Sequence, residues 1–154
     1  MKGLETNVVS EKAKKASYGI VYTSWNAEIV QEILLETKKE LTGQGVAENK
    51  IIIKEVPGAF ELPLAAKLIT EKNNVSCVIS IGAIIKGDTP HFDFISQACI
   101  DGLQSIALET RIPMICGVLT TNNIEQAKER SDSSRMNKGK EFALSAMNMV
   151  DTLA

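Results

Sequence analysis

Histidine is nearly absent: His91 is the only one in the chain. Imidazole chemistry near neutral pH must therefore use that one position. Cysteine is scarce as well. Cys77, Cys99 and Cys116 are odd in number and no two form a CxxC pair, which argues against a disulfide framework and for buried thiols in a reduced cytosolic compartment. An excess of one charge is also lacking: the net charge is -2, with neither a basic field for nucleic acid nor an acidic tail. No apolar run reaches the ~18 residues of a membrane span. The opening Met-Lys-Gly-Leu-Glu-Thr-Asn lacks the apolar segment of a signal peptide. A cytoplasmic protein without a nucleic-acid or membrane partner is expected. Neither G-x-G-x-x-G, nor a P-loop, nor a Cys/His cluster with ligand spacing is found, so no cofactor and no metal are expected. Internal repeats, low-complexity segments and linkers are missing too.

What remains is an ordinary globular composition, 44% apolar and 23% charged over 154 residues. That length suits one domain, and a chain of this size buries about 70% of its unfolded surface without help from a disulfide or metal. Residues 1–16 are polar and lysine-rich and read as an N-terminal arm, with 17–154 as a single domain. Asn7 to Ser10 is a short extended patch without an obvious partner in its own sheet; strand addition to a neighbouring subunit would satisfy its backbone.

Strand and helix signals then alternate. Tyr18 to Thr23 reads as a strand, followed by Trp25-Asn26 and a helix from Ala27 to Leu41. That helix turns Ile29, Ile33 or Leu34, Thr37 and Leu41 to one side and is stopped by Gly43 and Gly45. Ile51 to Val56 is the second strand. Pro57-Gly58-Ala59-Phe60-Glu61 leads into a helix with Leu64, Ala65, Leu68 and Ile69 as its stripe, ended by Asn73-Asn74. Val75 to Ile85 is the third strand. The helix over 90–109 has the stripe Phe94, Ile95, Ala98, Leu103 or Gly102, Ile106 and Leu108. Pro113 to Thr120 is the fourth strand. Asn122 or Asn123 caps a helix over Ile124 to Arg130, and a last helix runs from Lys138 to Thr152. This order predicts right-handed βαβ units and a four-stranded parallel sheet with helices on both faces.

The densest stretch is Val78 to Ile95. A β-branched run ends at Ile85, Asp88 or Thr89 can cap the next helix, Pro90 fits its first turn, and His91 follows. Free N–H groups at such a start favour an anion. A lone histidine in a first turn is often only a surface polar group. Its neighbours shift the balance: Trp25-Asn26, Gly58 to Glu61 and Lys86 to His91 all follow strands, and open parallel sheets bind ligands beyond the carboxyl ends of strands.

Five motifs now carry a family resemblance. Val56-Pro57-Gly58-Ala59-Phe60-Glu61-Leu62-Pro63 resembles the VPGAFELP signature of the 6,7-dimethyl-8-ribityllumazine synthase family. Gly87-Asp88-Thr89-Pro90-His91-Phe92-Asp93 resembles its G-x-T-x-H-F-D/E segment. Gly117-Val118-Leu119-Thr120 with Glu125-Gln126-Ala127 and Arg130 is similar to its GVLT…EQA…R segment, and Asn137-Lys138-Gly139 to its NKG. Trp25-Asn26 fits the aromatic-Asn pair after the first strand. The resemblance covers residues 18–150, with the motifs in order and consistently spaced.

The resemblance implies a flavodoxin-like three-layer α/β/α sandwich. It implies condensation of 5-amino-6-ribitylaminouracil with 3,4-dihydroxy-2-butanone 4-phosphate, a transferase reaction without cofactor or metal. His91 would carry protons. Trp25 would stack on the pyrimidine. Asn26, the Ala59-Phe60-Glu61 segment, Ala83, Ile84, Ile85 and Cys116 would surround the ring and ribityl chain, with Glu61 accepting from ribityl hydroxyls. Asp88, Thr89, Arg130 and Lys138 would hold phosphate, Asp88 through its backbone and as a cap. Gly58 is expected to serve a positive φ or a close approach. The resemblance further implies a homopentamer with the site shared between subunits, a 60-subunit shell of twelve pentamers, and association with riboflavin synthase. One departure stands out: Cys116 occupies the place of the family's usual Phe, and Trp25, larger than the common Phe, can fill the space. Two other readings share the fold: an archaeal-type riboflavin synthase, whose first motif differs, and a non-catalytic flavin- or lumazine-binding shell protein.

Overall fold

A computed structural model describes residues 9–153. Its elements are α1 (Glu11–Lys15), β1 (Tyr18–Thr23), α2 (Ala27–Gly43), β2 (Ile51–Val56), α3 (Leu62–Lys72), β3 (Cys77–Ile85), α4 (His91–Thr110), β4 (Met114–Thr121), α5 (Ile124–Ser131) and α6 (Lys138–Thr152). The four strands form one parallel sheet in the order β2-β1-β3-β4. One face packs on α2, α5 and α6 through Ile20, Ile79, Ile81, Ile33 and Met147, with α1 at its margin. The other packs on α3 and α4 through Val21, Val78, Leu62, Ala66 and Leu103. This is the expected three-layer α/β/α sandwich of flavodoxin-like type. Because β1 pairs with both β2 and β3, the chain reverses its winding direction between β1 and β3. A crevice opens there at the carboxyl ends of the strands.

Several expectations are corrected. Residues 11–15 form a helix, an element absent from the sequence reading: Ser10 caps it by accepting from the Ala13 N–H, and Val9 and Ala13 are buried against the core. Asn7 and Val8, half of the patch from Asn7 to Ser10, lie outside the described residues, and with them the expected pairing to a neighbour. The α3 stripe is Leu62, Ala66 and Ile69, while Leu64 and Leu68 face outward. A short 3₁₀ turn at Ala59–Glu61 precedes α3, which starts at Leu62 with Pro63 in its first turn as read from the sequence; only the phase of its buried face differs. On α4 the buried line is Cys99, Leu103 and Ile106 with Ile95 beside it, whereas Phe94, Ala98 and Leu108 are exposed. Phe94 and Ala98 each sit one residue, about 100°, off that line. Cys77 and Cys99 are buried as expected, but Cys116 is exposed on the edge strand β4.

Candidate active site

Three strand ends build the site. After β1, the Ser24 N–H donates to the Val56 carbonyl at 2.8 Å and the Trp25 N–H to the Pro57 carbonyl at 3.2 Å, so the loops beyond β1 and β2 are joined. Asn26 then adopts the left-handed region (φ 57°, ψ 45°), which Asn tolerates better than most residues. Its Nδ2 donates to the Ala83 carbonyl at 2.7 Å, tying the end of β1 to β3. One amide donor of Asn26 is therefore engaged within the chain, and its Oδ1 is left for a ligand.

Beyond β2, Gly58 has φ -143° and ψ 179°, ordinary extended backbone. The positive-φ alternative is thus excluded and close approach is the reason for glycine: a Cβ there would stand 2.5 Å from Cζ3 of Trp25. The Gly58 N–H donates to Glu61 Oε2 at 3.0 Å, which orients the Glu61 carboxylate across the turn. Phe60 and Trp25 remain 63% and 67% exposed, two aromatic faces at the crevice with no core to fill.

Beyond β3, His91 is the first residue of α4. The expected cap is not made. Pro90 occupies the capping position, Asp88 forms no bond to the helix start, and the Thr89 hydroxyl accepts from the His91 N–H only at a long 3.5 Å. Proline supplies no side-chain acceptor; the Asp93 N–H donates to the Pro90 carbonyl at 3.0 Å, while the His91 and Phe92 N–H groups have no close partner among the described residues and stay available to an anion.

These parts surround a cleft of about 520 Å³. Trp25, Asn26, Ala59, Phe60, Glu61, Ala83, Ile84, Ile85, Thr89 and His91 all line it. So do Thr23, Gly87, Phe92 and Ile95, which were not among the expected site residues. Phe92 and Gly87 belong to the motif that flagged His91 and were within reach of sequence reasoning. Thr23 carried no signal, and Ile95 read as core. Four expected residues do not line the cleft of their own chain: Asp88, Cys116, Arg130 and Lys138. Arg130, on α5, donates from Nη1 to the Gln126 carbonyl at 3.1 Å and stands 4.0 Å from Glu129. Lys138 pairs with Glu141 at 2.9 Å. Among the described residues, no three His, Cys, Asp or Glu side chains are grouped so as to hold a metal ion.

The arrangement offers two aromatic faces, a carboxylate fixed at one oxygen, an anion-friendly helix start and an imidazole beside it. It defines a flavodoxin-like α/β protein with a site for a flat polar molecule and an anionic one at the switch point of its sheet. A family model described as 6,7-dimethyl-8-ribityllumazine synthase matches residues 15–154, and the chain belongs to that family. Membership places it in riboflavin biosynthesis, among transferase-type enzymes that act on small molecules and assemble as oligomers. No helix among the described residues is long and apolar enough to cross a membrane.

Proposed function

We propose that the chain condenses 5-amino-6-(D-ribitylamino)uracil with 3,4-dihydroxy-2-butanone 4-phosphate to 6,7-dimethyl-8-ribityllumazine, releasing phosphate and water, the penultimate step of riboflavin biosynthesis. One observation carries the reading: in a chain of this family, Trp25, Phe60, Glu61, Thr89 and His91 meet in a single cleft. Trp25 stacks on the pyrimidine, and such offset contacts contribute ~0.5 to 1.5 kcal/mol beyond area. Backbone groups of Ala59, Phe60, Ala83, Ile84 and Ile85 meet the ring edge. The Asn26 Oδ1 accepts from the ring, and Glu61 accepts from ribityl hydroxyls. Thr89 and the uncapped start of α4 hold phosphate.

The amine of the pyrimidine attacks the ketone and expels a first water to form an imine. Elimination breaks the C–O bond to phosphate, and attack of the ribitylamine nitrogen on the remaining carbonyl closes the ring and expels a second water. Each step moves a proton, and an imidazole beside the phosphate can accept and return it. Both substrates are already reactive, so holding them together supplies much of the rate.

Asp88 keeps only its backbone as a phosphate contact. Arg130, Lys138 and Cys116 do not line the cleft of their own chain, and we assign them to the cleft of a neighbouring subunit. A homopentamer provides such neighbours. The uninterrupted run from Arg130 to Lys138 favours stacking of twelve pentamers into a 60-subunit shell, with riboflavin synthase as an associated partner in the cytoplasm. The test supplies both substrates to the purified chain. Lumazine absorbance rising in step with phosphate release is expected, and phosphate release without lumazine, or neither, would contradict the proposal.

A further inference from the structure

Gly58 has no role in the reaction outlined above, yet the cleft is built on it. Its extended backbone is open to any residue, so conformation does not demand glycine. Its N–H bond to Glu61 does not demand glycine either, because every residue but proline has that donor. The indole does. The six-membered ring of Trp25 lies against the Gly58 Cα, and an added Cβ would stand 2.5 Å from Cζ3 and 2.6 Å from Cε3. Carbon atoms pack at about 3.5 to 4.0 Å, so a methyl group here would drive the ring away by on the order of 1 Å. The backbone of Trp25 cannot follow freely. It is held by the Pro57 carbonyl at 3.2 Å and by the Thr23 hydroxyl, which donates to the Trp25 carbonyl at 3.3 Å. The ring would have to swing about its side-chain torsions, into the space where a ligand lies or out toward solvent.

We propose that Gly58 is a positioning residue of the pyrimidine subsite, the bare backbone on which Trp25 is seated so that its other face meets the ligand. This rests on the reading of the cleft given under Proposed function. An indole that is 67% exposed has little side-chain packing of its own to fix its plane. The contact with Gly58 supplies that restraint, and a restrained platform loses less freedom when a ring stacks on it.

Trp25 is the only tryptophan in the chain, so intrinsic tryptophan fluorescence reports this contact alone. Gly58→Ala, Trp25→Ala and the double variant are compared with the parent protein. In ligand-free protein, Gly58→Ala is expected to lower the fluorescence anisotropy and increase quenching by acrylamide. The half-saturation for 5-amino-6-ribitylaminouracil should rise about ten-fold, the loss of one well-placed stacking contact. The half-saturation for the butanone phosphate and the turnover at saturation should stay within about two-fold, since those groups lie elsewhere. In the Trp25→Ala background, adding Gly58→Ala should change nothing beyond about two-fold, because Gly58 acts through the ring. Unchanged fluorescence, equal losses for both substrates, or a Gly58→Ala effect that persists without the indole would each overturn the proposal. If Gly58→Ala fails to fold, a folded double variant supports the clash with the indole, and an unfolded one refutes it. If the parent binds neither compound, the reading of the cleft fails, and the ligand-free anisotropy still decides whether Gly58 seats the ring.

Discussion

His91 lines the cleft at the start of α4, and among the described residues its side chain makes no hydrogen bond, which leaves the imidazole to a ligand. Substituting it should leave pyrimidine binding intact. His91→Ala is expected to lower turnover by ~10²-fold or less, since general acid/base catalysis supplies ~10² to 10⁴ and proximity remains. An unchanged turnover number at saturating substrates would rule out the role. For Arg130, whose side chain is 36% exposed on α5, the expected loss falls on the other substrate. Arg130→Ala should raise the half-saturation for the butanone phosphate far more than for the pyrimidine, because losing a charge-assisted pair costs ~1.5 to 3 kcal/mol. Equal effects on both would mark a structural role. The thiols sort themselves by burial. Burial pushes the Cys77 thiol up, and burial with the nearby Cys116 pushes Cys99 up to about 12, so both stay protonated at neutral pH. Thiolate is the reactive form. An alkylating reagent on native protein should therefore modify Cys116 first, and bound pyrimidine should slow it if that thiol walls a neighbour's cleft. Mass spectrometry showing Cys77 or Cys99 modified as fast would contradict the first expectation. At this scale much was legible: ten of the expected site residues line one cleft. What was not legible was which partner each side chain had already taken. Nothing in the letters shows that Asn26 spends a donor on Ala83 or that Gly58 lies under an indole.

Among the elements, α2 and α6 make the closest helix contact that a single residue controls. A Cβ on Gly139 would lie 2.6 Å from the Ile33 carbonyl oxygen and 3.2 Å from the Thr37 nitrogen, both backbone atoms that cannot step aside. The Thr37 hydroxyl also donates to the Gly139 carbonyl at 2.9 Å, bonding the two helices directly. Gly139→Ala should destabilise the fold by ~1 to 3 kcal/mol, the usual cost of overpacking. Denaturant unfolding measures it, and a midpoint unchanged from the parent would show that the helices separate without cost. From β1 onward element order was legible because periodicity and breakers mark it, whereas the five-residue α1 is too short to show a period. The last helix falls on Lys138–Thr152 as read from sequence, and Asn123 caps α5 by accepting from the Gln126 N–H at 2.9 Å. The faces of α3 and α4 were not legible. Both carry apolar residues on more than one side, so periodicity alone admits two stripes, and only the contact with the sheet chooses between them. Pro63 against Gly102, where a Cβ would sit 2.8 Å from the ring, helps set how α3 meets α4.

The whole molecule leaves features that a single chain does not use. Among the described residues, β2 and β4 are the edge strands of the sheet and neither pairs on its outer side. Phe94 and Leu108 stand 69% and 72% exposed on α4, with Leu64 and Leu68 outward on α3. Apolar side chains exposed on adjoining elements are commonly interaction surface, and a closed ring of identical contacts covers them. The same assembly would supply a cation to the cleft of one chain, whose lining holds no lysine or arginine among the described residues. We therefore propose a lumazine-forming site completed by two chains. The direct measurement is lumazine formation after His91→Ala and Arg130→Ala chains are unfolded together and refolded as a mixture. A shared site predicts recovered activity, because some interfaces then unite an intact His91 from one chain with an intact Arg130 from the other. A mixed assembly that forms yet stays as inactive as either parent would contradict it.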